Sequence, residues 1–301
     1  GSLSAGETNS YGSFQGVPPH LIEEIKKMYG FDKPLLERFC LMLKSYLLFD
    51  FGESYFREKK VIDLILERLP VSISLGLWST LIIYGFGLWL GVRKAMRADS
   101  SFDIWTSTAL MVGYAIPSFL FAVFLIIFFA GGSFLSWFPL RGLTSPGWEA
   151  MGWGQRILDY FWHMALPLTA QVVSGLASLT FLTKNAFLEE AFKPYVTTAR
   201  AKGIRERRVL YHHIFRNALL VIIAGLPSRL LHIFFASSLL IEIIFSLDGL
   251  GLLGFDAAVT RDYPVVFGTL YILTLLGLLL HILGDLIYTW VDPRIDFKAQ
   301  G

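Results

Sequence analysis

Residues 71–92 read VSISLGLWSTLIIYGFGLWLGV, with no charged side chain. A helix crossing the hydrocarbon core of a bilayer needs about 20 mostly apolar residues. This run therefore reads as a membrane span, and the rest of the chain can be read outward from it. Four more runs qualify: Ile104–Ala130, with Pro117 placed to kink it; Met164–Thr183, uncharged between His163 and Lys184; Asn217–Phe245, which holds Arg229 and Glu242; and Pro264–Gly284, uncharged apart from His281. The composition of the 301 residues agrees. Hydrophobic types make up 54% and charged types 17%, against about 25% charged in soluble domains. Disorder is excluded. A net charge of +2 argues against phosphate binding driven by global charge. Cys40 is the sole cysteine, which rules out an internal disulfide and a multi-cysteine metal site. The fold class is an all-α polytopic membrane protein.

Lys and Arg in short loops favour the cytoplasm. The connectors Arg93–Asp103 and Lys184–Arg216 carry three and eight; Gly131–His163 and Ser246–Tyr263 carry two and one. The first pair is assigned to the cytoplasm, together with the C-terminal tail bearing Arg294 and Lys298. Residues 1–69 then form an external segment with short helices, and 70–301 the transmembrane domain. Within 1–70 lie nine basic and ten acidic residues, and no apolar run long enough to carry them across a membrane. This predicts a sixth span upstream, N-terminal to Gly1. Pro34 opens a helical pattern with Leu35, Leu36, Phe39, Leu43 and Leu47 at helical spacing. Lys59 to Leu69 reads as a short amphipathic helix leading to Pro70.

The connector 184–216 is the most informative loop. Residues 197–219 read TTARAKGIRERRVLYHHIFRNAL. Pro194 can start a helix, Gly203 breaks it, and a second short helix begins near Ile204. Eight basic residues against Glu189, Glu190 and Glu206 make it a positively charged knob. A topology signal or a contact with anionic lipid would account for the charge alone. Ala199, Ala201 and Gly203 add a second property: small residues at a bend let a partner pack closely.

Here a resemblance becomes specific. Thr198-Ala199-Arg200-Ala201-Lys202-Gly203 resembles the cytoplasmic coupling motif of ABC importer permeases of the oligopeptide/dipeptide branch. Thr197 stands where the wider family carries a Glu. Phe49–Ser54, Glu67–Pro70, Ser246–Gly251, Arg261–Pro264 and Asp292–Arg294 resemble further segments of the permease B subunits. Phe129–Ser133 and Phe138–Gly142 are similar to the Yej-type branch, associated with peptides and the peptide-nucleotide antibiotic microcin C. The resemblance implies a type I importer permease fold with six spans, the first at the N-terminus. It implies that the chain performs no covalent chemistry and carries no cofactor, with ATP and Mg on partner subunits. The implied partners are a second homologous permease, two cytoplasmic ATPase domains, a periplasmic peptide-binding protein and membrane lipid, with no nucleic acid. Thr198 to Gly203, with Arg205, Arg207 and Arg208, are the expected ATPase-coupling residues.

Other motifs carry weaker expectations. Gly249, Gly251 and Gly254 fit G-x-G-x-x-G, but a membrane span precedes them rather than a strand, so a dinucleotide site is set aside in favour of a tight turn at an external gate with Asp248 and Asp262. His212-His213 is adjacent and diverges on a helix, which argues against a metal pair. Arg229 falls near mid-bilayer with His232 on the same face. The pair would either line the translocation pathway or bond carbonyls freed at Pro227. Glu242 reads as a structural partner near the outer interface. Gln171, Ser174 and Ser178 share a stripe that serves either helix packing or the pathway. Gly87-x-x-x-Gly91 is a packing signal. Trp137, Trp148, Trp153 and Trp162 read as an aromatic belt on the outer loop or a face for a binding protein. Two other functions fit parts of this pattern. A self-contained channel or secondary transporter would use Arg229 and Glu242 and need no ATPase; a scaffold would use the basic loop without transporting.

Overall fold

A computed structural model describes residues 34–132, 134–225 and 238–291. By internal contacts the chain divides between Phe51 and Gly52. In the first unit, helix α1 (Leu35–Leu47) forms where the spacing predicts it, and Asp50 N–H closes its end on the Ser45 carbonyl at 2.9 Å. The Tyr46 and Phe51 rings meet edge to face beyond it, 5.1 Å apart.

The second unit is built on three long helices: α2 (Val61–Met96), α5 (Trp153–Ala191) and α10 (Tyr263–Val291). Each is long and apolar enough to cross a membrane. At 36 residues, α2 is about 54 Å long at 1.5 Å per residue. It reaches well beyond a hydrocarbon core, and the expected boundary at 69/70 falls inside it. The short helix expected before Pro70 and the span after it are one element. α5 likewise starts eleven residues before the expected Met164, so Trp153 and Trp162 sit on a helix rather than on the outer loop. It also runs on to Ala191, which shortens the expected connector 184–216 at its front. Tryptophan and proline punctuated the sequence, but neither stops a helix whose flanking turns are packed; Pro167 is itself buried inside α5.

The expected span Ile104–Ala130 is two helices, α3 (Ser101–Ala115) and α4 (Ser118–Phe129), bent by 94° at Pro117. Proline cannot continue the ladder and holds the preceding residue extended; Ile116 sits at ψ 119°. The span expected over 217–245 begins as α7 (Phe215–Ala224) and ends as α8 (Ser238–Ile244); its middle lies outside the described residues, and so do Arg229 and His232. Helix α9 (Leu250–Thr260) leads into α10 through Arg261, which adopts a left-handed conformation.

α5 is the central element, touching α2, α3, α4 and α7. Gly87 faces Leu179, Gly91 faces Thr180 and Thr183, and Gly175 faces Ile83. These contacts advance together along both chains, so α2 and α5 run parallel, as two spans separated by a returning one must. The Gly87–Gly91 packing signal is realised here. A Cβ on Gly91 would stand 2.5 Å from Thr183 Cβ and 2.8 Å from the Thr180 carbonyl oxygen. Glycine at this crossing is what lets the two backbones approach.

Candidate functional site: the basic connector and the outer turn

Beyond α5 the chain turns at Phe192 and Lys193 and enters a short helix, α6 (Pro194–Ala201), with Pro194 at its first position. Val196 and Ala199 point inward, both buried, into a cluster with Ala95 of α2, Ala186 and Phe187 of α5, Val209, Ile214 and Ala218. Thr197, Thr198, Arg200, Ala201 and Lys202 point outward and are exposed. The helix closes with a defined cap. Gly203 has φ +74°; its N–H donates to the Arg200 carbonyl at 2.9 Å, and Ile204 N–H to the Ala199 carbonyl at 3.3 Å. These two bonds with a left-handed glycine form the Schellman arrangement, and Ile204 adds the accompanying apolar contact in the same cluster. Among the described residues nothing lies within 4 Å of where a Gly203 Cβ would sit, so glycine is required there by conformation and not by space. Arg200 clasps Glu206 across the bend through both oxygens, at 2.7 and 3.2 Å. The hydrogen bonds from Arg200 hold the Glu206 carboxyl below its ordinary range.

The second short helix begins at Glu206 rather than at Ile204, and 209–214 continue it as a π-helical segment before α7. Arg205, Arg207, Arg208 and Tyr211 line an open hollow of about 450 Å³. The base of the knob is tied to both membrane helices that flank it. Tyr195 Oη donates to Glu190 at 2.6 Å, at the end of α5, and accepts from Asn217 Nδ2 of α7 at 3.0 Å. Burial and then the Glu190 carboxylate push the Tyr195 phenol up to about 12. Lys193 pairs with the other Glu190 oxygen. The sequence pattern marks the knob's exposed tip but not this base. Glu190, Tyr195 and Asn217 are spread over three segments, and only the fold joins them.

On the opposite face, residues 246–249 form a turn entered through Ser246 at φ 50°. Of the three expected turn glycines, only Gly249 belongs to it; Gly251 and Gly254 lie in α9. Glu242 is fully buried beneath it. Its carboxylate accepts from Ser72 Oγ of α2 at 3.2 Å and from Leu252 N–H of α9 at 2.8 Å, while Ser72 Oγ accepts from Leu250 N–H at 2.8 Å. Glu242 thus has the structural role expected of it, in the interior. Asp248 is exposed and pairs with Arg68 of α2 at 2.5 Å. Asp262 is buried and accepts from Ser54 Oγ and Tyr55 N–H at 2.5 and 3.2 Å, fastening 54–55 to the start of α10. A Cβ on Gly249 would fall 2.2 Å from Glu242 Oε1. Gly249→Ala is expected to drive the carboxylate off Ser72 and Leu252, costing about 1–3 kcal/mol and lowering the Tm of the purified protein. Ser72→Ala, which deletes hydrogen bonds without a clash, should lower it less.

The stripe Gln171–Ser174–Ser178 is divided. Gln171 is buried, with no hydrogen bond to its amide among the described residues; Ser174 donates to the Gln171 carbonyl at 3.1 Å, and Ser178 is exposed. All three lie on one stripe of α5, at i, i+3 and i+7, and differ in burial rather than in position. Among the described residues no group of His, Cys, Asp and Glu could hold a metal ion.

Residues 83–297 match the family described as "Binding-protein-dependent transport system inner membrane component". The chain is 56% identical over 292 residues to the peptidoglycan transport system permease protein YejB of Agrobacterium fabrum, covering 97% of this chain and 80% of that one. It is 56% identical over the same length and coverage to the inner membrane ABC transporter permease protein YejB of Escherichia coli O157:H7. Among solved structures, an inward-facing MetNI methionine ABC transporter chain superposes with a TM-score of 0.57 at 18% identity, over 77% of this chain and 97% of that one.

Proposed function

The chain belongs to the inner-membrane components of binding-protein-dependent transport systems, and on that premise we propose that it imports peptides as one permease half of an ATP-driven complex. It is a transport subunit and not an enzyme. The observation that carries the proposal is the form of the basic connector. An inner face of Val196 and Ala199 is locked into the ends of α2 and α5, and an outer face of Thr198, Arg200, Ala201 and Lys202 is left exposed. A helix held this way can pass a push from outside the membrane to two spanning helices at once. The partner that pushes is a cytoplasmic ATPase holding ATP and Mg; Gly203 fixes the bend, and Arg205, Arg207 and Arg208 supply positive charge beside it.

A second, homologous permease completes the pathway, and an external binding protein delivers the peptide. The turn 246–249, with Asp248, Gly249 and Asp262, forms part of the outer gate. Arg229 and His232 remain the pathway candidates from sequence. The substrate class follows from the similarity of residues 198–203 to the peptide branch and from the peptidoglycan transport named for the Agrobacterium relative. Peptide-nucleotide conjugates of the microcin C kind are the finer candidate, on the similarity of 129–133 and 138–142 to the Yej-type branch.

The test is affinity purification from its native membrane, identification of every chain that comes with it, and reconstitution of the whole assembly in proteoliposomes. Co-purification of an ATPase and a second permease, with ATP-dependent peptide uptake, is the expected result. A chain that purifies alone and moves solute without ATP would overturn it.

A further inference from the structure

Lys94 is a lysine with no exposed surface. It lies near the end of α2, immediately before Ala95, which packs in the cluster that seats α6. Its ammonium donates to the Asp103 main-chain carbonyl at 2.9 Å, to Thr106 Oγ1 at 2.8 Å and to Ser107 Oγ at 2.7 Å, and lies 3.0 Å from Asp103 Oδ1. Asp103 is buried at the start of α3, and its other oxygen takes the Lys184 ammonium of α5 at 2.6 Å. Asp99 N–H donates to that same oxygen at 3.2 Å. One carboxylate therefore joins the ends of three helices, and it holds two cations.

That charge count is informative. Removing an ammonium from water costs several kcal/mol, and an ion pair only partly offsets it. A cluster that served stability alone would need one lysine for one aspartate. The second lysine adds a third helix to the junction instead. In sequence both lysines read only as a positive-inside signal; their meeting follows from the parallel register of α2 and α5, which brings Gly91 against Thr183.

We infer that Lys94, Asp103 and Lys184 form a clip that makes the ends of α2, α3 and α5 move as one body with α6, so that a displacement of the connector reaches α3, which the connector's own cluster does not include. They are positioning residues, and the inference rests on the function proposed above. When α6 is displaced, its apolar cluster moves Ala95 and Ala186; the clip carries that movement to α3, and through it to the bent pair α3–α4. α3 also packs on α5 farther along, where Gly113 faces Val173; without the clip it is the start of α3, residues 97–107, that lags, so ATP is hydrolysed with less transport.

The charge arithmetic supplies variants that should fold. Lys94→Met leaves a neutral Asp103–Lys184 pair, and Lys184→Met leaves a neutral Asp103–Lys94 pair; Asp103→Asn would strand two ammoniums and is not a usable test. In the complete complex, with ATPase, second permease and binding protein in proteoliposomes, both Met variants are expected to keep normal assembly. Uptake per ATP hydrolysed should fall by at least about 5-fold, the lower end of site-to-site coupling, and Lys184→Arg should restore it. Unchanged uptake per ATP in both Met variants, in a complex whose wild type imports, would overturn the clip and leave the function standing. Hydrogen exchange gives a second arm that needs no substrate. On vanadate trapping, protection of residues 97–107 should change together with 194–204 in the wild type but not in Lys94→Met. Identical responses would overturn the clip whether or not any peptide is imported.

Discussion

Ala201→Trp abolishes ATP-driven uptake and leaves the protein folded and inserted; this is the expected result for a residue on the outer face of α6. Ala201 is exposed on the last turn of that helix, opposite buried Val196 and Ala199. Exposed substitutions of this kind change stability by about 0.5 kcal/mol or less. A partner packed against Ala201 has no room for an indole. At a hot spot of an interface the loss is about 2 kcal/mol or more, and that corresponds to at least about 30-fold weaker docking. Membrane level, detergent Tm and uptake should therefore separate, with the first two unchanged and the third lost. Ala199→Trp should behave differently: its side chain enters the cluster with Ala95, Phe187 and Ile214, so stability falls with uptake.

Gly91→Leu is expected to destroy the fold itself. The first added carbon already stands 2.5 Å from Thr183 Cβ and 2.8 Å from the Thr180 carbonyl, and the latter is backbone that no rotamer change can move. Three further heavy atoms would force α2 and α5 apart along their shared crossing. Overpacking a filled core costs about 1–3 kcal/mol and more where backbone must shift; the same crossing packs Ile83 and Leu179 with Ile222 in a buried cluster. The variant should be nearly absent from the membrane fraction, or aggregate on extraction. Gly91→Ala should give a milder loss of the same kind. Wild-type level and Tm for Gly91→Leu would mean that α2 and α5 do not cross there.

Much of this architecture was legible because the bilayer demands long apolar helices, and such runs stand out in any reading. Pro117 marked the bend between α3 and α4, and Pro194 and Gly203 marked the two ends of α6, because each acts through a local constraint: a missing N–H, or a left-handed φ. The boundaries were less legible. Lys59–Leu69 looked separate from the span beyond Pro70, and Trp153–His163 looked like loop, because polar residues past the hydrocarbon core carry no apolar signal although the helical ladder continues through them. Least legible were the groups assembled by packing. Glu242 beneath Gly249, Tyr195 between Glu190 and Asn217, and Lys94 with Asp103 and Lys184 each join residues from distant segments. The start of α3 is fixed by Ser100 Oγ, which accepts from Asp103 N–H at 3.3 Å, a cap that the reading by apolar runs does not register. The glycine fingerprint at 249–254 misleads in the opposite direction, because its spacing fits a motif whose strand-turn-helix setting is missing around α9.

We propose that an ATPase engages this chain, and moves it, at the exposed face of α6. The most direct test is site-specific cross-linking in the assembled complex. Cys40 is the sole cysteine of these 301 residues, so Cys40→Ser leaves Ala201→Cys as the one thiol among them. Position 201 is expected to cross-link to the ATPase subunit with a yield that changes between the nucleotide-free and vanadate-trapped states, and Trp89→Cys on the exposed apolar face of α2 to give no such product. A position 201 that never reaches the ATPase in either state, while the complex transports normally, would contradict it.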